Sequence, residues 1–307
     1  MTPHPTHVEV VEMAPRDGLQ NESTVLSTSD KVELVERAVR AGARRIEVTS
    51  FANPTRVPQM ADAAELMAVV PRHEGVAYAG LVMNRRGLDR ALAAEVDEVD
   101  VVVVATDTFC LRNQGVTTAQ MADLATELVA EARAAGVVTT ITVGASFGCP
   151  FEGEVPLARL REVLSRVADA GPDEVALADT IGVAVPTDVT ERVAMAREVT
   201  GGVPLRLHLH DTRHTGVANA VAGLQAGVTA LDASIGGAGG CPFAPHATGN
   251  VATEDLVYLF DRMGVPTGLD LGELRAAAEW LEERLGKRLS GALLRAGGFP
   301  APGASER

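Results

Sequence analysis

Short runs of β-branched residues recur eight times along this 307-residue chain, each followed by a longer stretch with helical spacing. The runs lie near 8–13, 44–50, 76–82, 98–105, 139–146, 174–179, 205–211 and 230–236. Two of them, 98–105 and 139–146, are almost continuously apolar, as strands covered on both faces are. The intervening segments 28–41, 117–135, 156–170 and 187–199 are amphipathic. Ser27-Thr28, Thr117-Thr118 and Thr187-Asp188 offer caps at helix starts, and Gly42, Gly136 and Gly171 offer stops. Eight strands alternating with helices predict an α/β fold of the (β/α)8, or TIM, barrel type. A doubly wound sheet is the structural alternative, but the first run is not followed by the glycine fingerprint of a dinucleotide fold. A further helix is expected over 269–286. The expected organisation is one barrel domain over residues 1–295, with a loose tail rich in Gly, Pro, Ala and Ser over 296–307.

Composition narrows the class. The net charge of −14 argues against a nucleic-acid partner, which would be met by a basic stripe. No apolar run approaches the roughly 18 residues of a membrane span. The start of the chain has neither the basic nor the apolar region of an export signal. Cys110, Cys149 and Cys241 are odd in number and widely spaced, which suits reduced thiols in a cytoplasmic protein.

In such a barrel, chemistry belongs to the C-terminal ends of the strands. The first strand leads into Arg16-Asp17-Gly18, readable as a surface ion pair or as two groups at the barrel mouth. Glu47 lies between apolar residues near the end of the second strand and needs a partner; Arg16 is the nearest candidate, and a purely structural salt bridge is the simpler reading. His208 and His210 are two apart, so both point to the same side of the seventh strand. They read as a metal pair or as packed core histidines. Asp211 is a candidate to orient a neighbour or to cap the next helix. The eighth strand runs into Gly236-Gly237-Ala238-Gly239-Gly240-Cys241, a permissive loop that could carry a thiol to a site. Asp17, His208, His210 and Asn250 together offer a donor set suited to a divalent cation, Mg or Mn, with positions left for substrate oxygens.

Several segments also carry a family likeness. Pro15-Arg16-Asp17-Gly18-Leu19-Gln20-Asn21-Glu22, Glu47-Val48-Thr49-Ser50-Phe51, Asp179-Thr180-Ile181-Gly182, His208-Leu209-His210-Asp211-Thr212 and Gly239-Gly240-Cys241-Pro242 together resemble hydroxymethylglutaryl-CoA lyase. So does Gly249-Asn250-Val251-Ala252-Thr253-Glu254-Asp255-Leu256, and the likeness runs from about Val8 to Leu289. The Arg, Asp and Glu signature belongs to a wider metallolyase barrel superfamily; the Gly-Gly-Cys-Pro loop followed nine residues later by Asn narrows it to the lyases. The resemblance implies retro-Claisen cleavage of a 3-hydroxy-3-methylglutaryl thioester to acetyl-CoA and acetoacetate. It implies a divalent ion held by Asp17, His208, His210 and Asn250. It gives Arg16 the enolate, Cys241 the final proton, His208 the hydroxyl proton, and Glu47 the positioning of Arg16 and of the metal shell. It implies an acyl-CoA substrate and a homo-oligomer such as a dimer.

Two lysines alone, Lys31 and Lys287, stand in the chain, and neither falls at a strand end, which excludes a Schiff-base aldolase. A Claisen-condensing synthase of the same superfamily would carry a Gly-Glu-Arg loop where Gly240-Cys241-Pro242 stands. A non-catalytic binding barrel would leave the donor set without a use. The chain departs from the usual lyase pattern at Thr106, Gly144, Ala176, His214 and His246. These departures raise the expectation of a different 3-substituent on the acyl group, and His214 and His246 read either as facing one another across loops at the barrel mouth or as two solvated loop histidines. Arg85, Arg86, Arg112 and Arg213 are the loop cations available to CoA phosphates.

Overall fold

Eight parallel strands close on themselves: β1 (Glu9–Glu12), β2 (Arg45–Ser50), β3 (Ala77–Val82), β4 (Glu98–Val104), β5 (Val138–Gly144), β6 (Glu174–Asp179), β7 (Leu205–Leu209) and β8 (Ala230–Ala233). The computed structural model describes residues 7–240 and 249–299. Each strand pairs with its sequence neighbours, and β1 pairs with β8 to shut the ring, so the doubly wound alternative is excluded. Helices flank the barrel between successive strands. A further helix, Leu271–Leu285, lies beyond the eighth unit and packs on the first helix, Thr28–Arg40. Its buried residues Leu274, Ala277, Ala278, Leu281 and Leu285 fall on one stripe at three- and four-residue spacing. No helix among the described residues is long and apolar enough to cross a membrane.

The local signals act much as read. Ser27 caps the first helix by accepting from Asp30 N, and Thr117 forms a reciprocal capping box with Gln120. Gly42, Gly136 and Gly171 all sit at positive φ just past helix ends. Thr187-Asp188 does not precede its helix. That helix starts at Pro186, whose fixed φ suits a first turn, and the Asp188 side chain accepts from Val185 N. The seventh strand stops at Leu209 rather than 211, and His210 instead forms an isolated bridge with Asn250. The eighth stops at Ala233 rather than 236, where the chain turns into Ile235–Gly237. Positions 300–307, most of the expected tail, lie outside the described residues.

The barrel interior is not the apolar stack the strands suggest. Arg45 forks to Glu98 at 2.6 and 2.7 Å and to Glu174 at 2.7 and 3.0 Å. One layer higher, Arg206 meets Glu174 at 3.1 Å, Asp232 at 3.2 Å and Asp100 at 3.5 Å. Buried charges persist only when paired, and these are paired across five strands. The network forms a rigid polar floor beneath the mouth of the barrel.

Candidate active site

Directly after β1 the chain makes one wide helical turn, Ala14–Gly18, with Gly18 N bonded back to Met13 O. The turn folds Arg16 and Asp17 over the strand ends, where both are buried. Gly18 permits a close approach here: a Cβ on it would lie 3.0 Å from Ser234 Oγ and 3.3 Å from Ala238 Cβ. Glu12 ties the turn to the loop after β8, accepting from both Ala14 N and Ile235 N.

Arg16 and Glu47 are partners, as the sequence suggested. Arg16 Nε donates to Glu47 Oε2 at 2.5 Å, and its Nη1 donates to Asp17 Oδ1 at 2.7 Å. Burial weakens the charge on Arg16, but Glu47 and Asp17 outweigh it and raise its pKa. Burial lifts Glu47 above the ordinary carboxyl range; Arg16 opposes this and the buried Asp100 adds to it. Asp17 is pulled down to about 2: burial raises it, but Arg16, His208 and His210 together prevail. It is a carboxylate at any working pH.

His208 and His210 share the inner side of the barrel, with Nε2 atoms 3.1 Å apart. Asp17 Oδ2 lies 3.9 Å from His208 Nε2. One ligand atom from each of Asp17, His208 and His210 falls within 4.8 Å of the others. Burial, then the neighbouring His208, lowers His210 to about 4, so its ring is neutral at pH 7. Asn250 closes the group, its Nδ2 donating to Asp17 Oδ2 at 2.7 Å and to Ala238 O at 3.1 Å. Its Oδ1 is buried without a partner, as is His210 Nδ1. Gly239 must be glycine for this contact, since a Cβ there would come within 2.6 Å of Asn250 Nδ2.

This arrangement fits a divalent cation. Two ring nitrogens facing at 3.1 Å are satisfied either by one shared proton or by a cation that both nitrogens ligate. Ligands at about 2.1 Å and at right angles stand about 3.0 Å apart, which matches that spacing. The orphaned Asn250 oxygen is a neutral donor of the kind hard cations accept.

Two residues that the sequence reading missed support the site. Asp232 on β8 accepts from His208 Nδ1 at 3.0 Å, and its other oxygen lies in an ion pair 3.2 Å from Arg206 Nη1, without a hydrogen bond. Both are charges at alternate positions in strands otherwise apolar, the signal that singled out Glu47. Asp211 caps the next helix as anticipated, but at Gly216 N (2.8 Å) rather than at Thr212.

A cavity of about 160 Å³ opens over these groups, walled by Leu81, Met83, Val102, Phe109, Gly144 and Thr180. Of the departures from the lyase pattern, Gly144 lines it. Thr106 is turned to Cys149 Sγ (3.1 Å), Ala176 is buried off the cavity, and His214 is exposed at φ +55° beside Asp211. None of these three lines the cavity. Cys241 and His246 lie outside the described residues. Lys31 is tied to Asp62 and Lys287 to Glu22, both away from the cavity. Arg112 borders a groove that shares Gln20, Asn21, Met83 and Asn113 with the cavity, and Arg56 borders it too. Arg85 and Arg86 line an adjoining groove. Arg213 is instead committed to the carbonyls of Ile181 and Gly182.

Known proteins share this architecture along almost the whole chain. An (R)-citramalyl-CoA lyase of Chloroflexus aurantiacus is 44% identical over 303 residues, covering 94% of this chain and 95% of that one. A hydroxymethylglutaryl-CoA lyase of Bacillus subtilis is 38% identical, covering 94% and 96%. The solved structure of an HMG-CoA lyase from A. baumannii, in complex with coenzyme A and 3-methylmalate, superposes with a TM-score of 0.93 at 36% identity over 98% of each chain. The HMGL-like family model matches residues 7–281, and with these relatives it makes the chain a member of that family and a carbon–carbon lyase.

Proposed function

We propose that the protein cleaves 3-hydroxy-3-methylglutaryl-CoA by a metal-assisted retro-Claisen reaction, giving acetyl-CoA and acetoacetate. The observation that carries this reading is the convergence of Asp17, His208 and His210 beside Arg16 in one cavity, with Asn250 bonded to Asp17. Asp17, His208 through Nε2, His210 through Nε2 and Asn250 through Oδ1 would hold Mg²⁺ or Mn²⁺. Such an ion, when bound, makes the tertiary hydroxyl of the substrate easier to deprotonate.

Arg16 is fixed by two carboxylates and faces the same cavity, so its guanidinium is placed for the charge that develops on the thioester oxygen. Glu47 positions Arg16. His208 is assigned as a ligand, because Asp232 engages Nδ1 and the ligand role uses Nε2; the hydroxyl proton then passes to solvent at the cavity mouth, which also returns a proton to Cys241 after it donates. The apolar walls exclude water from the enolate. Cys241, the next residue in sequence after the cavity-lining Gly240, supplies the proton to the acetyl carbon. The groove past Asn113, bordered by Arg112 and Arg56, takes the CoA moiety.

A second reading is favoured by the 44% identical citramalyl-CoA lyase. Citramalyl-CoA lacks one methylene between the carbinol carbon and its carboxylate and would yield acetyl-CoA and pyruvate. Its hydroxyl and carboxylate can reach the same cation. A coupled assay of acetyl-CoA release on both thioesters, with acetoacetate and pyruvate measured separately, tests the proposal. Faster turnover to acetoacetate supports the first reading, faster turnover to pyruvate the second, and release from neither refutes both.

A further inference from the structure

The Asp232 carboxylate bridges two buried groups that belong to different layers of the barrel. Its Oδ2 accepts from His208 Nδ1 at 3.0 Å, and its Oδ1 lies 3.2 Å from Arg206 Nη1. Arg206 is only 2% exposed and is itself held by Glu174 and Asp100. Asp232 stands directly opposite His208 in the β7–β8 register, so strand pairing alone brings the two together. Asp232, His208, Arg206, Glu174 and Asp100 all sit on strands, where side chains are placed more closely than on loops.

A neutral imidazole has one N–H and one lone pair. A carboxylate at Nδ1 selects the tautomer with the proton on Nδ1. The lone pair is then on Nε2, which faces His210 Nε2 and Asp17. Without that carboxylate the ring is free to carry its proton on Nε2, aimed at the other ligands, and to rotate about its stem. The neighbouring His210 has no such brace, since its Nδ1 is buried without a partner. The two histidines are therefore not equivalent.

We propose that Asp232, anchored by Arg206, is a positioning residue that fixes His208 as the Nδ1–H tautomer and so presents Nε2 to the divalent cation. This rests on the ligand set given under Proposed function. Outer partners of this kind typically contribute 10–100-fold to metal affinity.

The test is Mn²⁺ titration of the metal-stripped full chain by calorimetry, comparing wild type with Asp232→Asn. The expected result is affinity weakened by about 10–100-fold with the fold retained in circular dichroism. A merely structural role would lower the melting temperature and leave Mn²⁺ affinity within twofold, and that result overturns the proposal. Should Asp232→Asn fail to fold, the wild-type Mg²⁺-loaded enzyme, labelled with ¹⁵N-histidine, decides the matter. Long-range ¹H–¹⁵N spectra, with the His208 signals assigned by their loss in His208→Gln, should show the proton on Nδ1. A proton on Nε2 overturns the proposal. Wild-type protein that binds no Mn²⁺ overturns the ligand set itself, a failure distinct from unchanged affinity in Asp232→Asn.

Discussion

Replacing Arg16 by Met separates what this residue does for the fold from what it does for the reaction. Arg16 and Glu47 meet at 2.5 Å with side chains 8% and 2% exposed. Taking away one member of such a buried pair strands the other and costs about 3–5 kcal/mol. Asp17 also loses its 2.7 Å contact, but it keeps Asn250 Nδ2 at 2.7 Å. Removing both members leaves no stranded charge, so Arg16→Met/Glu47→Met should regain much of the stability, with a coupling of about 2–3 kcal/mol. Turnover should not return. One lost donor to a developing oxyanion costs about 2.7–4 kcal/mol of barrier, or roughly 10²–10³ in kcat. Urea unfolding of the metal-free single and double variants gives the cycle, and acetyl-CoA release gives the rates. A coupling near zero would refute the buried-pair argument. Turnover within tenfold of wild type in Arg16→Met would refute its part in the chemistry.

Stripping the protein with EDTA should abolish acetyl-CoA release, Mg²⁺ or Mn²⁺ should restore it, and Asp17→Ala should resist that restoration; full turnover after chelation would count against the cation. Cys241→Ser should cut turnover severely while Mn²⁺ affinity, read by calorimetry, stays near the wild-type value. Burial raises Glu12 to about 7 and Glu254 to about 8 despite the backbone N–H groups each accepts. Folded pKa values above the unfolded ones mean that their contribution to stability is complete below about pH 4.5 and is lost as pH rises through 7 to 8. Urea midpoints between pH 6 and 9 should therefore fall less steeply in Glu254→Gln than in wild type, the removed group accounting for up to about 1.4 kcal/mol per pH unit; parallel slopes would show that Glu254 does not titrate there.

The architecture was legible because each level of the sequence agrees with the next. The strand runs, the Ser27 and Thr117 caps and the glycines at 42, 136 and 171 all point to one alternation, and the closed barrel follows from it. Strand ends were less legible. His210 reads as the continuation of β7, yet the chain leaves the sheet at Leu209 to pair with Asn250, a contact across forty residues. No local pattern encodes such a pairing. The polar floor escaped notice for a similar reason: Arg45, Glu98 and Glu174 lie on strands that are not all neighbours, and they meet only because the barrel closes.

The site residues divide along the same line. A carboxylate or guanidinium flanked by apolar residues at a strand end must find an opposite charge, and few are within reach, so Arg16 with Glu47 could be read without a structure. Asp232 obeys the same rule, but its partner is fixed by the register between β7 and β8, which a single sequence does not carry. The departures at Thr106, Ala176 and His214 do not line the cavity for a related reason. Position in a motif places a residue along a strand, whereas its face is set by pairing and twist, and only Gly144 among the described departures turns to the cavity. The choice between two substrates that differ by one methylene is worth about 1–3 kcal/mol in an apolar pocket. Here the methylene also sets where the substrate carboxylate falls relative to the donor set, so both those donors and a wall such as Gly144 beside Val102 and Thr180 bear on the choice.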